Sequence, residues 1–234
     1  RFGGTGFLAT TVFKPGQAND HLAVAAEHVG SDLGGANLLG IHLEGPFISL
    51  EKRGMIQKDS ICPPSMHVFD EILDMTEGQL RIMTIAPELP EALPLIRKLV
   101  DSGIVASFGH SNATYEQTLA GFQAGISHVT HLFNAMPSMH HRSPGPLAAI
   151  FEEDSITAQI IPDGVHIQPP VLRMAFNALG PARTVAITDG MQAIALPEGR
   201  YTYNGVEYES KDGAARYADG TLIGTALGMS QLTA

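Results

Sequence analysis

The sequence predicts an α/β chain of the (β/α)8, TIM-like barrel class, truncated at both ends, with part of a small β-insert or β-sandwich near the C-terminus. Three observations predict it. Short apolar runs that read as buried parallel strands alternate with helix-patterned segments. The strand ends at Glu44, Ala86, His110, His131, Pro162 and Asp189 recur at intervals of roughly 20 to 45 residues, the spacing of βα units. Four runs stop on a residue that can bind a metal or carry a proton, namely Glu44, His110, His131 and Asp189. Barrel enzymes place their catalytic groups at such C-terminal strand ends.

The elements follow in order. Phe7–Phe13 reads as a first strand and Ala18–Val29 as a helix. Leu38–Leu43 is a strand, closed by the Gly/Pro-rich loop Gly45–Pro64. A helix over Ser65–Met75 precedes the strand Arg81–Ala86, and a helix over Leu89–Asp101 precedes Ile104–Phe108. Thr114–Ala124 is helical, with Glu116 in the first turn where the macrodipole favours a carboxylate. Ile126–Thr130 is the next strand, followed by the loop Phe133–Pro146 and a short helix over Leu147–Glu152. Ile156–Ile161, a helix over Pro170–Leu179 and Thr184–Thr188 complete seven strands, one short of a closed barrel, so the missing strand is expected upstream of Arg1.

After Asp189 the pattern changes. Arg200–Glu209 carries Asn204-Gly205 at its centre, the signal of a tight hairpin. The expected organisation is a hydrolase barrel over 1–196, a β-insert over 197–222, and the start of a returning barrel segment over 223–234.

Composition narrows the function. The 234 residues are 44% hydrophobic and 16% charged, a globular balance able to bury a large core. Fourteen basic against 24 acidic side chains give a net charge of −10, which argues against nucleic acid and anionic membrane surfaces as partners. A small anionic substrate stays compatible with that charge. No apolar run reaches the ~20 residues of a membrane span. The single cysteine, Cys62, excludes an internal disulfide and suits a cytoplasmic location.

One carboxylate and two imidazoles at strand ends can form a three-ligand metal site with a position open for water. Glu44 opens Glu-Gly-Pro, whose glycine and proline stop the strand; a solvated loop glutamate is the ordinary alternative. His110, in Gly-His-Ser-Asn-Ala-Thr, has a plain strand-to-helix turn as its alternative, with Ser111 or Asn112 as cap. His131 precedes Asn134 and a long loop, whereas His128 faces the other way and reads as structural. His42 reads as core, with a supporting role beside Glu44 as the alternative. Asp189 can shuttle a proton between an attacking water and a leaving amine, or simply cap a turn. His140-His141-Arg142 is an anion clamp or a solvated loop. Taken jointly, the strand-end set favours a metal-dependent hydrolase.

The motifs His42-Leu-Glu-Gly-Pro-Phe-Ile48, Gly109-His-Ser-Asn-Ala113, Thr130-His-Leu-Phe-Asn-Ala-Met136, Asp163-Gly-Val-His166, Thr188-Asp189 and Gly220–Leu227 together resemble the N-acetylglucosamine-6-phosphate deacetylase family of the amidohydrolase superfamily. The resemblance runs in order along nearly the whole chain. It implies a divalent metal, zinc first and iron second, held by Glu44, His110 and His131. It implies Asp189 as catalytic acid/base and His166 as a catalytic and substrate-binding group that polarises the acetyl carbonyl. It further implies Asn134 and Ala135 on the sugar phosphate, and Arg142 on the phosphate bound by a neighbouring subunit, hence a homodimer acting on a phosphorylated amino sugar. Two features depart from the pattern. Ile56 stands where the family often carries a phosphate-binding histidine, and the His-x-His pair of a first strand is not in the sequence. The departures keep two alternatives open: another N-acyl amino sugar or cyclic amide as substrate, or an inactive metal-binding fragment.

Overall fold

A computed structural model describes residues 4–32 and 34–232. The chain divides into two compact units, one over Thr5–Ile156 and one from Thr157 onward.

The first unit is a parallel βα array. Its strands are β1 (Gly6–Thr11), β2 (Asn37–Glu44), β3 (Leu80–Ile85), β4 (Val105–Phe108) and β5 (His128–Val129), each paired in parallel with the next. Its helices are α1 (Asp20–His28), α2 (Met66–Thr76), α3 (Ala92–Asp101), α4 (Tyr115–Ala124) and α5 (Gly145–Glu152). The apolar runs form strands because both faces are covered: Ile41 and Leu43 of β2, Met83 and Ile85 of β3, and Ala106 and Phe108 of β4 are fully buried on one face, and His42, Thr84 and Ser107 are buried on the other. α3 buries Ala92, Leu95, Ile96 and Leu99, the one-sided stripe of an amphipathic helix. α4 opens with a reciprocal capping box between Thr114 and Gln117, and α2 opens with Ser65 accepting from the Val68 amide.

Several boundaries differ from the sequence reading by a few residues, two of them with a clear local cause or consequence. The helix expected from Leu89 begins at Ala92. Leu89 precedes Pro90, which disfavours helical backbone there, and Glu91 takes a left-handed φ of 64°. Pro94 is tolerated in the first turn because its missing N–H would have no intrahelical partner. The strand expected over Ile126–Thr130 keeps only His128–Val129 in regular pairing, although the Thr130 amide still donates to the Phe108 carbonyl.

The second unit holds a parallel pair, β6 (Thr157–Ile160) and β7 (Thr184–Ala186), connected through α6 (Pro169–Leu179). β7 ends two residues short of the expected Thr188. A four-stranded antiparallel sheet follows, built from β8 (Gly199–Tyr203), β9 (Val206–Lys211), β10 (Ala214–Tyr217) and β11 (Leu222–Thr225) in the order β11-β10-β9-β8. The Asn204-Gly205 turn joins β8 to β9 with positive φ at both residues, as a tight hairpin requires. A short helix, α7 (Met229–Leu232), ends the described chain. No helix among the described residues is long and apolar enough to cross a membrane.

Candidate metal centre

Glu44, His110 and His131 converge within the first unit. Their ligand atoms all lie within 4.8 Å of one another. Glu44 Oε1 is 3.2 Å from His131 Nε2 and 3.6 Å from His110 Nε2, and the two imidazole nitrogens are 3.0 Å apart. Both histidines are buried. The rings meet edge to face with centroids 4.7 Å apart, so the two Nε2 atoms aim at a common point rather than stacking.

The backbone explains how residues at three strand ends turn inward together. His110 has φ 47° and His131 φ 31°, left-handed values that non-glycine residues seldom take and that cluster at functional sites. The loop after Glu44 then wraps His110. The Ser49 amide donates to the His110 carbonyl at 2.9 Å, and His110 Nδ1 donates to the Lys52 carbonyl at 2.8 Å. Gly54 lies against the ring, where an added Cβ would stand 3.5 Å from His110 Cε1. Beyond His110, Glu88 accepts from Ser111 Oγ at 2.7 Å and from the Asn112 amide at 2.6 Å, fixing the turn into α4. The Ser111 amide donates to the Ala135 carbonyl at 3.2 Å, which links the loops carrying the two histidines.

The electrostatics suit a cation. Burial works against ionising Glu44, but the adjoining His110 and His131 imidazoles outweigh it and hold the carboxyl well below its ordinary range. The set is therefore one anionic oxygen and two imidazole nitrogens, the donor chemistry of a divalent metal with a coordination position left open.

The other sequence-derived residues fall in different places. The Asn134 side-chain amide donates to the carbonyls of His131 and Leu132, closing the turn that follows the ligand. Ala135 follows with φ 52°. Arg142 sits in an exposed loop, its guanidinium 2.7 Å from His141 Nε2. Ile56 is core, buried with Val12 and Ile48. Asp189 and His166 belong to the second unit. Asp189 follows β7 with φ 49°, its carbonyl accepting from the Thr225 amide at 3.1 Å. His166 Nδ1 lies 2.6 Å from Asp163 Oδ2. Burial would raise the Asp163 carboxyl, but the bonds from His166 prevail and hold it below its ordinary value. The ionised carboxylate fixes the proton on Nδ1. Sequence reasoning missed this role for Asp163, although its position three residues before a histidine was a usable signal.

No protein-family model matches the chain. Among curated proteins it is 39% identical over 233 residues to the N-acetylglucosamine-6-phosphate deacetylase of Bacillus subtilis (strain 168), covering 98% of this chain and 59% of that protein. Among solved structures it superposes with TM-score 0.90 and 36% identity on the Mycobacterium smegmatis N-acetyl-D-glucosamine-6-phosphate deacetylase, covering 99% of this chain and 60% of that one. That structure is of an aspartate-to-alanine mutant in complex with N-acetyl-D-glucosamine-6-phosphate. The chain belongs to the N-acetylglucosamine-6-phosphate deacetylase family. It spans about 60% of the length of the relatives it matches. A further relative, 35% identical over 193 residues and matched over 82% of this chain and 51% of its own length, is the N-acetylgalactosamine-6-phosphate deacetylase of Escherichia coli O157:H7.

Proposed function

We propose that the protein hydrolyses the N-acetyl group of N-acetylglucosamine 6-phosphate, releasing glucosamine 6-phosphate and acetate, as a metal-dependent amide hydrolase of amino sugar metabolism. The observation that carries this reading is the convergence of Glu44, His110 and His131 on one point, in a chain whose relatives bear that activity in their names. On this reading the parallel strands form part of a (β/α)8 barrel, and the antiparallel sheet forms part of a smaller β-domain.

Glu44 and the Nε2 atoms of His110 and His131 would hold a divalent metal, zinc before iron. When bound, such an ion polarises a carbonyl and lowers the pKa of a nearby water. The remaining work falls to the chain. The Lys52 carbonyl, by accepting from Nδ1, keeps the His110 lone pair on Nε2. Asp189 accepts the proton of the attacking water and delivers it to the departing glucosamine nitrogen, an amine that leaves only once protonated. His166, oriented by Asp163, binds the substrate and helps polarise its acetyl carbonyl as negative charge develops there. Asn134 and Ala135 border the sugar phosphate, and Arg142 reaches the phosphate held by a second subunit of a homodimer. The single cysteine fits a cytoplasmic enzyme.

Ile56 favours a second reading, in which the substrate is a different N-acyl amino sugar. A side chain buried with Val12 and Ile48 offers nothing to a phosphate. The test is acetate release from N-acetylglucosamine 6-phosphate with added zinc, run beside N-acetylgalactosamine 6-phosphate and unphosphorylated N-acetylglucosamine. Preferential, EDTA-sensitive turnover of the first substrate supports the main reading. No turnover of it alongside turnover of another defeats that reading.

A further inference from the structure

Beside the candidate metal ligands in sequence and register runs a buried chain of polar side chains drawn from β2, β3, β4 and Thr130, the residue after β5. His42 Nε2 lies 2.8 Å from Thr84 Oγ1, Thr84 Oγ1 lies 2.8 Å from Thr130 Oγ1, and Thr130 Oγ1 lies 2.7 Å from Ser107 Oγ. All four residues are buried. Serine and threonine within regular structure commonly bond to nearby backbone. These hydroxyls bond to one another across strands instead.

Each member adjoins a ligand. His42 is two residues before Glu44, and Thr84 is the register partner of Glu44. Ser107, the register partner of Thr84, is three residues before His110. Thr130 immediately precedes His131 and is the link with hydroxyl partners on two other strands. The glycine before His110 points the same way. A Cβ on Gly109 would stand 2.8 Å from Thr84 Cγ2 and 3.0 Å from Thr130 Cβ, while its φ lies outside the left-handed region. Gly109 therefore serves close approach rather than backbone freedom: it lets the strand bearing His110 settle onto the Thr84–Thr130 bond.

We propose that the Thr130 hydroxyl is the hub of a positioning device that holds the strand ends of Glu44, His110 and His131 at metal-binding separation. Thr130 touches no reacting atom. It acts through the strand ends, two of which enter strained left-handed backbone at the ligand itself and so need to be held in place. The inference rests on reading Glu44, His110 and His131 as ligands.

The test is zinc affinity, measured by competition with a chromophoric chelator for wild type, Thr130→Val and Thr130→Ser, with folding checked by circular dichroism in EDTA. Valine keeps the shape and removes the hydroxyl; serine keeps the hydroxyl. Thr130→Val is expected to bind zinc about tenfold more weakly, the scale on which outer-shell partners act, and Thr130→Ser to stay close to wild type. Wild-type affinity in Thr130→Val overturns the proposal, as do equal losses in both variants, which would make any change of packing at this site responsible rather than loss of the hydroxyl. Should Thr130→Val fail to fold, Ser107→Ala removes the terminal hydroxyl: weaker zinc binding supports the device, and unchanged binding overturns it. A wild-type protein that binds no zinc overturns the ligand reading itself, an outcome distinct from any change confined to the variants.

Discussion

His110 Nδ1 lies 2.8 Å from the carbonyl oxygen of Lys52. A carbonyl only accepts, so the proton sits on Nδ1, and Nε2 turns its lone pair toward Glu44 and His131. Lys52 lies in the loop that leaves Glu44, so the first ligand's loop fixes the tautomer of the second ligand. Replacing His110 by alanine is expected to weaken metal binding by more than the about 10–100-fold that loss of an outer-shell partner costs. Lys52→Ala should leave binding unchanged, because the acceptor belongs to the backbone. Elemental analysis after dialysis against limiting zinc measures both, and a fully loaded His110→Ala protein would remove His110 from the site.

His128 is buried three residues before His131, and burial lowers its pKa from 6.5 to about 4. Below pH 6.5 the unfolded chain takes up this proton while the folded chain does not, so stability is complete above 6.5 and falls as pH drops toward about 4. The slope from this residue is up to about 1.4 kcal/mol per pH unit. Urea midpoints measured in EDTA at pH 7.5, 6 and 5 should fall for wild type. His128→Gln should show a shallower fall, the remainder coming from other groups such as His42, also held at about 4 by burial. Parallel pH profiles for the two proteins would contradict the assignment.

The parts of the site legible in the sequence are those with a local signature. Glu44, His110 and His131 stood out because each ends an apolar run, and strand periodicity alone delivers such residues to one edge of a parallel array. The Asn204-Gly205 hairpin was legible because few other dipeptides tolerate its backbone. The supports were not legible. The Lys52 acceptor is a main-chain atom that no residue type announces. Thr84 and Thr130 look like ordinary strand residues, and Ser107 like a neutral position in an apolar run; only the register of neighbouring strands brings their hydroxyls together. The start of α3 was misplaced because apolar periodicity continues through Leu89 while Pro90 and the left-handed Glu91 delay the helix.

Asp189→Asn separates proton transfer from metal binding. Asparagine is nearly isosteric but cannot accept the water proton, so acetate release is expected to fall by about 10²–10⁴-fold, the usual contribution of a general acid or base. Zinc content should be unchanged, since the proposed ligands are Glu44, His110 and His131. An unaffected rate would remove Asp189 from the mechanism.

Gly224 tests how Asp189 is held. The Asp189 carbonyl accepts from the Thr225 amide, and the Met191 amide donates back to the Thr225 carbonyl at 2.9 Å, so β11 clamps the backbone on both sides of Gly190. An added Cβ on Gly224 would stand 2.6 Å from the Asp189 carbonyl oxygen, at a φ of 147° that side chains rarely adopt. Backbone cannot swing aside as a flexible side chain can, so Gly224→Ala must push Asp189 out of place. A displacement near 1 Å costs on the order of 10²-fold in rate, and kcat for acetate release is expected to fall by that scale with zinc affinity retained. Gly220→Ala is the control: its φ of 87° is also positive, but its Cβ meets nothing within 4 Å. It should lower stability by roughly 1 kcal/mol through backbone strain while keeping kcat. Equal kcat in the two variants would falsify the claim that β11 positions Asp189.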